Sequence, residues 1–149
     1  MTPGESFVAS AKSWIGTPYK HQCSVKGAGC DCLGLLLGIW REHYGEHTEE
    51  IPPYSRDWDE VAQNDLLEAA LDKHLIRKST SQISLGDVLL FRMRSGAVAK
   101  HLGICSDAST PMFIHAYSGH GVVENALSLP WQRRLAGVFA VPVPTEKLN

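Results

Sequence analysis

GCDCLGLLLGIWREHY, residues 29–44, is the stretch on which the fold turns. From Leu33 to Trp40 it is apolar on nearly every side, and it becomes polar only in its last turn. A helix with no polar face belongs at the centre of a domain. Asp31 is a good N-cap and Gly45 a good C-cap, so the helix is predicted over Cys32 to Tyr44. Cys32 then falls in the first turn, where unpaired amides and the positive end of the helix dipole favour a thiolate. A buried small cysteine is the ordinary alternative, and the position at a helix start weighs against it.

Upstream, Thr2-Pro3-Gly4-Glu5 combines an N-cap, a first-turn proline and a capping-box glutamate. Phe7, Val8, Ala11, Trp14 and Ile15 follow at helical spacing, which predicts a first helix ending at Gly16. Thr17 to Gly29 has no periodicity and reads as a loop that delivers the chain to Cys32. Downstream, His47 to Asp59 is an acidic surface connection. Val61, Leu66, Leu67, Ala70, Leu71 and Leu75 then mark an amphipathic helix. The second half supplies DVLLFRM, HLGIC, MFIHAY, GVVEN and LAGVFAV, short β-prone runs between glycine, proline or polar clusters. Helices first and strands afterwards predict an α+β fold, with the helices on a meandering antiparallel sheet of about five strands.

With 149 residues, 44% of them hydrophobic, the chain has the bulk for a single domain over 1–149. A formal charge of -2 and a pI near 6.4 offer no basic face for nucleic acid. No apolar run approaches the roughly 18 residues of a membrane-spanning helix. The first residues lack a basic and apolar leader, so synthesis as a soluble cytoplasmic product is expected. Four cysteines are too few for a disulfide scaffold. Each one is therefore core, ligand or nucleophile, and a Cys23–Cys30 disulfide stays open.

A thiolate needs a base, and histidine suits neutral pH. Of seven histidines, His21, His43, His47, His74 and His120 fall in loops or on polar faces and read as solvated. His101 and His115 lie inside strands. Period-2 alternation puts His101 on one face with Gly103 and Cys105, and His115 on one face with Phe113 and Tyr117. A turn centred near Ala108 would set the two histidines opposite each other, as a base and its orienting partner. Zinc is the rival chemistry. Cys30-x-Cys32 and Cys23-x6-Cys30 do not match the knuckle spacing that presents two thiolates to one ion, so no metal or other cofactor is expected.

GTPY at 16–19, GCDCLGL at 29–35, GDVLLF at 86–91, KHLGI at 100–104 and FIHA at 113–116 stand in that order. In this set the chain resembles the NlpC-type family of papain-like cell-wall peptidases. The resemblance implies a papain-like fold with Cys32 as nucleophile, His101 as general base and acid, and His115 orienting His101. It implies that Tyr19 assists the Cys32 amide at the oxyanion, with peptidoglycan as substrate. Asp31 and Leu33, which flank Cys32, become candidate substrate-binding residues. Many stem-cutting members have serine at the position of Leu33, where it helps bind a free amine, a contact leucine cannot make. An aliphatic residue there is similar to the branch encoded among phage tail genes and gene transfer agents. That branch implies carriage on a phage-like tail and a tail or baseplate hub as partner.

Two other classes remain in view: a tail-tip structural module that keeps the fold with little turnover, and an amidase or acyl transferase on another substrate. Arg92, Arg94 and Lys100 could meet stem carboxylates, though guarding a strand edge is the better reading. Tyr54 and Trp58 either line a groove or cover the core.

Overall fold

The computed structural model describes residues 2–45, 66–92 and 101–143. The expectations for His47, Tyr54, Trp58, Val61, Arg94 and Lys100 lie outside them. Helix α1 (Pro3–Ser13) has the expected capping box, with Thr2 Oγ1 accepting from Glu5 N at 3.1 Å and Glu5 Oε1 from Thr2 N at 2.9 Å. The chain turns through Trp14 to Gly16, whose φ of +97° suits glycine. A short hairpin, β1 (Ser24–Val25) with β2 (Gly29–Cys30), leads into α2 (Cys32–Tyr44). Leu33, Leu35, Leu36 and Ile39 of α2 are buried, as the all-apolar pattern demands. No helix among the described residues is long and apolar enough to cross a membrane.

Two glycines notch α2. A Cβ on Gly34 would run into the carbonyl oxygen of Cys23, and one on Gly38 into the Trp14 ring. The upstream loop therefore crosses the helix backbone at Gly34, and α1 docks through Trp14 one turn later. Side chains at i and i+4 share a helix face, so the GxxxG spacing inside the apolar run is a packing groove.

Helix α3 (Leu66–His74), with Leu67 and Leu71 buried, leads to β3 (Ile76–Lys78). Strands β4 (Val88–Phe91), β5 (His101–Asp107), β6 (Met112–Tyr117) and β7 (Gly121–Ala126) form the expected meander. After the short helix α4 (Leu129–Gln132), strand β8 (Leu135–Ala140) returns to pair with β4 on its far side and with β3. The sheet is antiparallel, in the order β3-β8-β4-β5-β6-β7, with six strands where the sequence pattern shows five. The added strand is β3, an edge strand reading Ile-Arg-Lys. Its charged residues hide it from a hydrophobic pattern, as edge strands do. Arg77 is held there by Asp72 and Glu68 and lies over the Phe139 ring at 4.7 Å.

The sheet has a core on each face. Val88, Leu90, Leu102, Ile104, Ile114 and Ala116 point to the helices, while Leu89, Phe91, Cys105, Phe113 and Val138 point the other way, towards Trp131 on α4. The GD of GDVLLF is architectural. Gly86, at φ +87°, meets Gly4 of α1 backbone to backbone, and the buried Asp87 carboxylate takes Lys78 Nζ at 2.6 Å and Ser84 N at 2.7 Å.

Candidate active site

Asp31 spends its carboxylate on backbone amides. Oδ1 accepts from Gly34 N at 2.7 Å, the N-cap bond, and Oδ2 from Gln22 N at 2.7 Å, with His21 Nδ1 3.8 Å away. It thus fixes the start of α2 and the loop above it together. The GTPY segment is tied down as well. Thr17 O accepts from Val122 N of β7 at 2.9 Å, Thr17 Oγ1 from Gly27 N at 3.0 Å, and Pro18 O from Cys30 N at 3.0 Å. Tyr19 bridges Cys30, two residues before Cys32. A Cβ on Gly121 would stand 2.6 Å from Thr17 O, so that strand must begin with glycine.

The place where α2 meets the sheet follows from an incomplete ladder. On β5, Cys105 N bonds Asp87 O on the β4 side, so the even-numbered amides face β6. The β5–β6 pairing stops at Ile104↔Ile114, which leaves the Leu102 amide without a strand partner. It is used instead by the Cys32 sulfur, on which the amides of Leu33 and Cys32 also act. Cys32 is therefore seated one residue from His101.

Across the sheet, His101 Nε2 and His115 Nδ1 are 2.8 Å apart, and His115 Nε2 lies 2.8 Å from Asn125 Oδ1. The histidines do pair, but not directly opposite each other. The strand register is two residues longer than a turn at Ala108 would give, because Asp107 Oδ1 takes the amides of Ser109 and Thr110 and shifts the turn onward. The contact is thus diagonal. Gly103 makes room beside it, since a Cβ there would stand 2.7 Å from the Phe113 ring.

His101 is 8% exposed and His115 fully buried. Trp131 stacks on His101 with ring centroids 5.7 Å apart and meets His115 edge-on at 5.2 Å. Tyr117 stacks on His115 at 5.2 Å. Burial, then His115, pushes His101 down to about 3. Burial also lowers His115. The Cys32 thiol is pushed up to about 12 by burial and then by Asp31, against the three amides that favour its thiolate. The expected helix-start effect is present and outweighed, so burial favours the neutral thiol and the neutral imidazole.

Cys32, His101, His115 and Asp31 are thus gathered at this end of β5, while Tyr19 is tied to Cys30 and packs on the helix-side core. Leu33 is not among them, since it is buried in the helix-side core. Arg92 continues β4, its N–H bonding Arg134 O at 2.8 Å. None of His21, His43, His74 and His120 is buried. His43 Nε2 meets Ser10 Oγ at 2.6 Å, and His120 stacks on Tyr117. All four cysteines are free thiols. Among the described residues no group of three or more His, Cys, Asp or Glu side chains is placed to hold a metal ion. Trp131 and Asn125 escape the sequence pattern. A hairpin turn at Ser118-Gly119-His120 sets Val123 opposite His115 and Asn125 opposite Phe113, which puts Asn125 on the face of His115, diagonal to it.

A cysteine at a helix start, seated on the strand of an antiparallel sheet that carries a histidine pair, defines an α+β protein of the papain-like class. Within that class the NlpC/P60 family pattern matches residues 16–140, and the chain belongs to this family. The NlpC/p60 domain of the peptidoglycan hydrolase SagA superposes with a TM-score of 0.66 at 20% identity, over 94% of this chain and all of that one. NlpC2 from Trichomonas vaginalis gives 0.64 at 20% identity, over 92% and 46% of the two chains. A lipoprotein-like NLP/P60 family protein from Staphylococcus aureus gives 0.60 at 19%, over 95% and 42%. The chain thus spans less than half of the last two proteins. No curated protein sequence matches it significantly.

Proposed function

We propose that the chain is a cysteine peptidase that hydrolyses an amide bond in the peptide stem of peptidoglycan, with residues 1–149 as one peptidase domain. The observation that carries this is the seating of the Cys32 sulfur on the Leu102 amide, one residue from the His101–His115 pair. His101 Nε2 is engaged by His115, so Nδ1 is the nitrogen left to act as base. As sulfur adds to the carbonyl carbon, its proton passes to His101 Nδ1. The Cys32 amide, helped by Tyr19, bonds the oxyanion, a contribution of about 3 kcal/mol to the barrier. His101 then gives its proton to the leaving amine, and water activated by the same ring hydrolyses the thioester, releasing the acid and restoring the Cys32 thiol. His115 holds the ring, and Asp31 fixes the helix start from which the amide points. Leu33 shapes the site through the core.

Leucine after the cysteine supports the tail-borne branch of the family. The proposal extends to synthesis in the cytoplasm, carriage on a phage-like or gene transfer agent tail, and docking to a hub protein. A structural tail-tip module with little turnover is the second reading, and burial, which disfavours both the Cys32 thiolate and the His101 imidazolium, is what favours it.

Purified Gram-negative peptidoglycan incubated with wild type, Cys32→Ala and His115→Ala, followed by mass spectrometry of soluble fragments, separates the two. Fragments are expected from wild type, none from Cys32→Ala, and roughly 10- to 100-fold fewer from His115→Ala. No fragments from folded wild type would exclude the peptidase.

A further inference from the structure

The His101–His115 pair does not end at His115. His115 Nε2 faces Asn125 Oδ1 at 2.8 Å, and His115 Nδ1 faces His101 Nε2 at 2.8 Å, so the three side chains form a single file from β7 through β6 to β5. Both links are diagonal. Asn125 is paired with Phe113 in the ladder, not with His115, which is paired with Val123. Asn125 is exposed, whereas the two rings lie under Trp131 and Tyr117, away from water.

In such a file the proton positions are not independent. A neutral imidazole carries one N–H and one lone pair. An amide oxygen can only accept, so His115 must carry its proton on Nε2. Its Nδ1 is then a lone pair and must receive the proton of His101 Nε2. That leaves the lone pair of His101 on Nδ1. Were the amide turned to present Nδ2, every proton would move to the other nitrogen and His101 Nδ1 would carry hydrogen. A hydrogen-bearing nitrogen cannot take the proton of a thiol.

We infer that Asn125 is a positioning residue that orders the protons of the histidine pair through its acceptor oxygen, and so keeps the lone pair on His101 Nδ1. The inference rests on the proposed role of His101 as base. It goes further in giving the strand after His115 a part in the chemistry. Asn125 acts through two rings and touches no reacting atom.

Nitrogen-15 NMR of the imidazoles at pH 8 reads the proton positions directly, because pyrrole-type and pyridine-type nitrogens differ in shift. In the parent protein both His101 and His115 should be protonated on Nε2. Asn125→Leu keeps the side-chain size and removes the acceptor. Both rings should then populate mixed tautomers, and kcat on peptidoglycan should fall roughly tenfold with KM unchanged. Asn125→Asp keeps an acceptor and should preserve Nε2 protonation on His115. The substituted residue is exposed, and a melting curve for each variant checks that the fold is kept. Protons on Nδ1 in the parent, or unchanged tautomers in Asn125→Leu, would overturn the inference. If the tautomers move as stated but wild type releases no fragments, the proton order stands and the peptidase falls. If fragments are released and the tautomers do not move, the peptidase stands and Asn125 is only structural.

Discussion

The two halves of the site are held by different means. On the cysteine side the restraints are backbone: Asp31 on two amides, Thr17 O on β7, the Cys23 carbonyl on Gly34, and the Leu102 amide on sulfur. On the histidine side they are side chains, with rings stacked on rings and a file of imidazoles ending on an amide. Backbone restraints fix where the cysteine stands, and any change to them is felt by the whole fold. Side-chain restraints fix where protons stand, and they can be altered with the fold intact.

This contrast fails if substitutions on the two sides behave alike. The largest effect expected is from His101→Ala, which should lower turnover by about 10³-fold or more in a protein that still unfolds cooperatively in urea. Gly34→Ala should do the reverse in kind. Its methyl meets the Cys23 carbonyl, and denaturant unfolding should show a loss of about 3 kcal/mol. Next comes the reactivity of Cys32. With its thiol near 12, alkylation by iodoacetamide should climb about tenfold per pH unit from 7 to 9. A rate already flat at pH 6 would mean a thiolate–imidazolium pair and would collapse the distinction. The smallest effect is in acid. His101 is held neutral, so the unfolded chain binds the proton more readily. Stability should therefore fall as pH drops from about 6.5 towards 3, and His101→Gln should flatten that slope in urea titrations.

The cysteine side was the more legible in sequence, because an N-cap followed by an apolar run is a local signal. Cys32 and the extent of α2 could be read from adjacent residues. The β runs showed themselves by period-2 patterning, and with them the shared face of His101 and His115. Their register did not show. It depends on Asp107 capturing two turn amides, which alternation cannot reveal. Strand β3 was lost among its charges. Trp131 and Asn125 come from later in the chain and meet the histidines only through tertiary packing. The GxxxG within α2 was in plain view, but its meaning lies in what crosses it, Trp14 and the Cys23 carbonyl.

The order of the parts along the chain has a consequence during synthesis. Cys32 emerges from the ribosome first, His101 about seventy residues later, and Asn125 and Trp131 later still. The Leu102 amide that receives the sulfur belongs to a strand not yet made when α2 can first form. Contacts of such long sequence separation are late events in folding. A nascent chain that stops before β5 thus carries the thiol without its imidazole partners, and the proposed site is completed only once β7 and α4 have been translated.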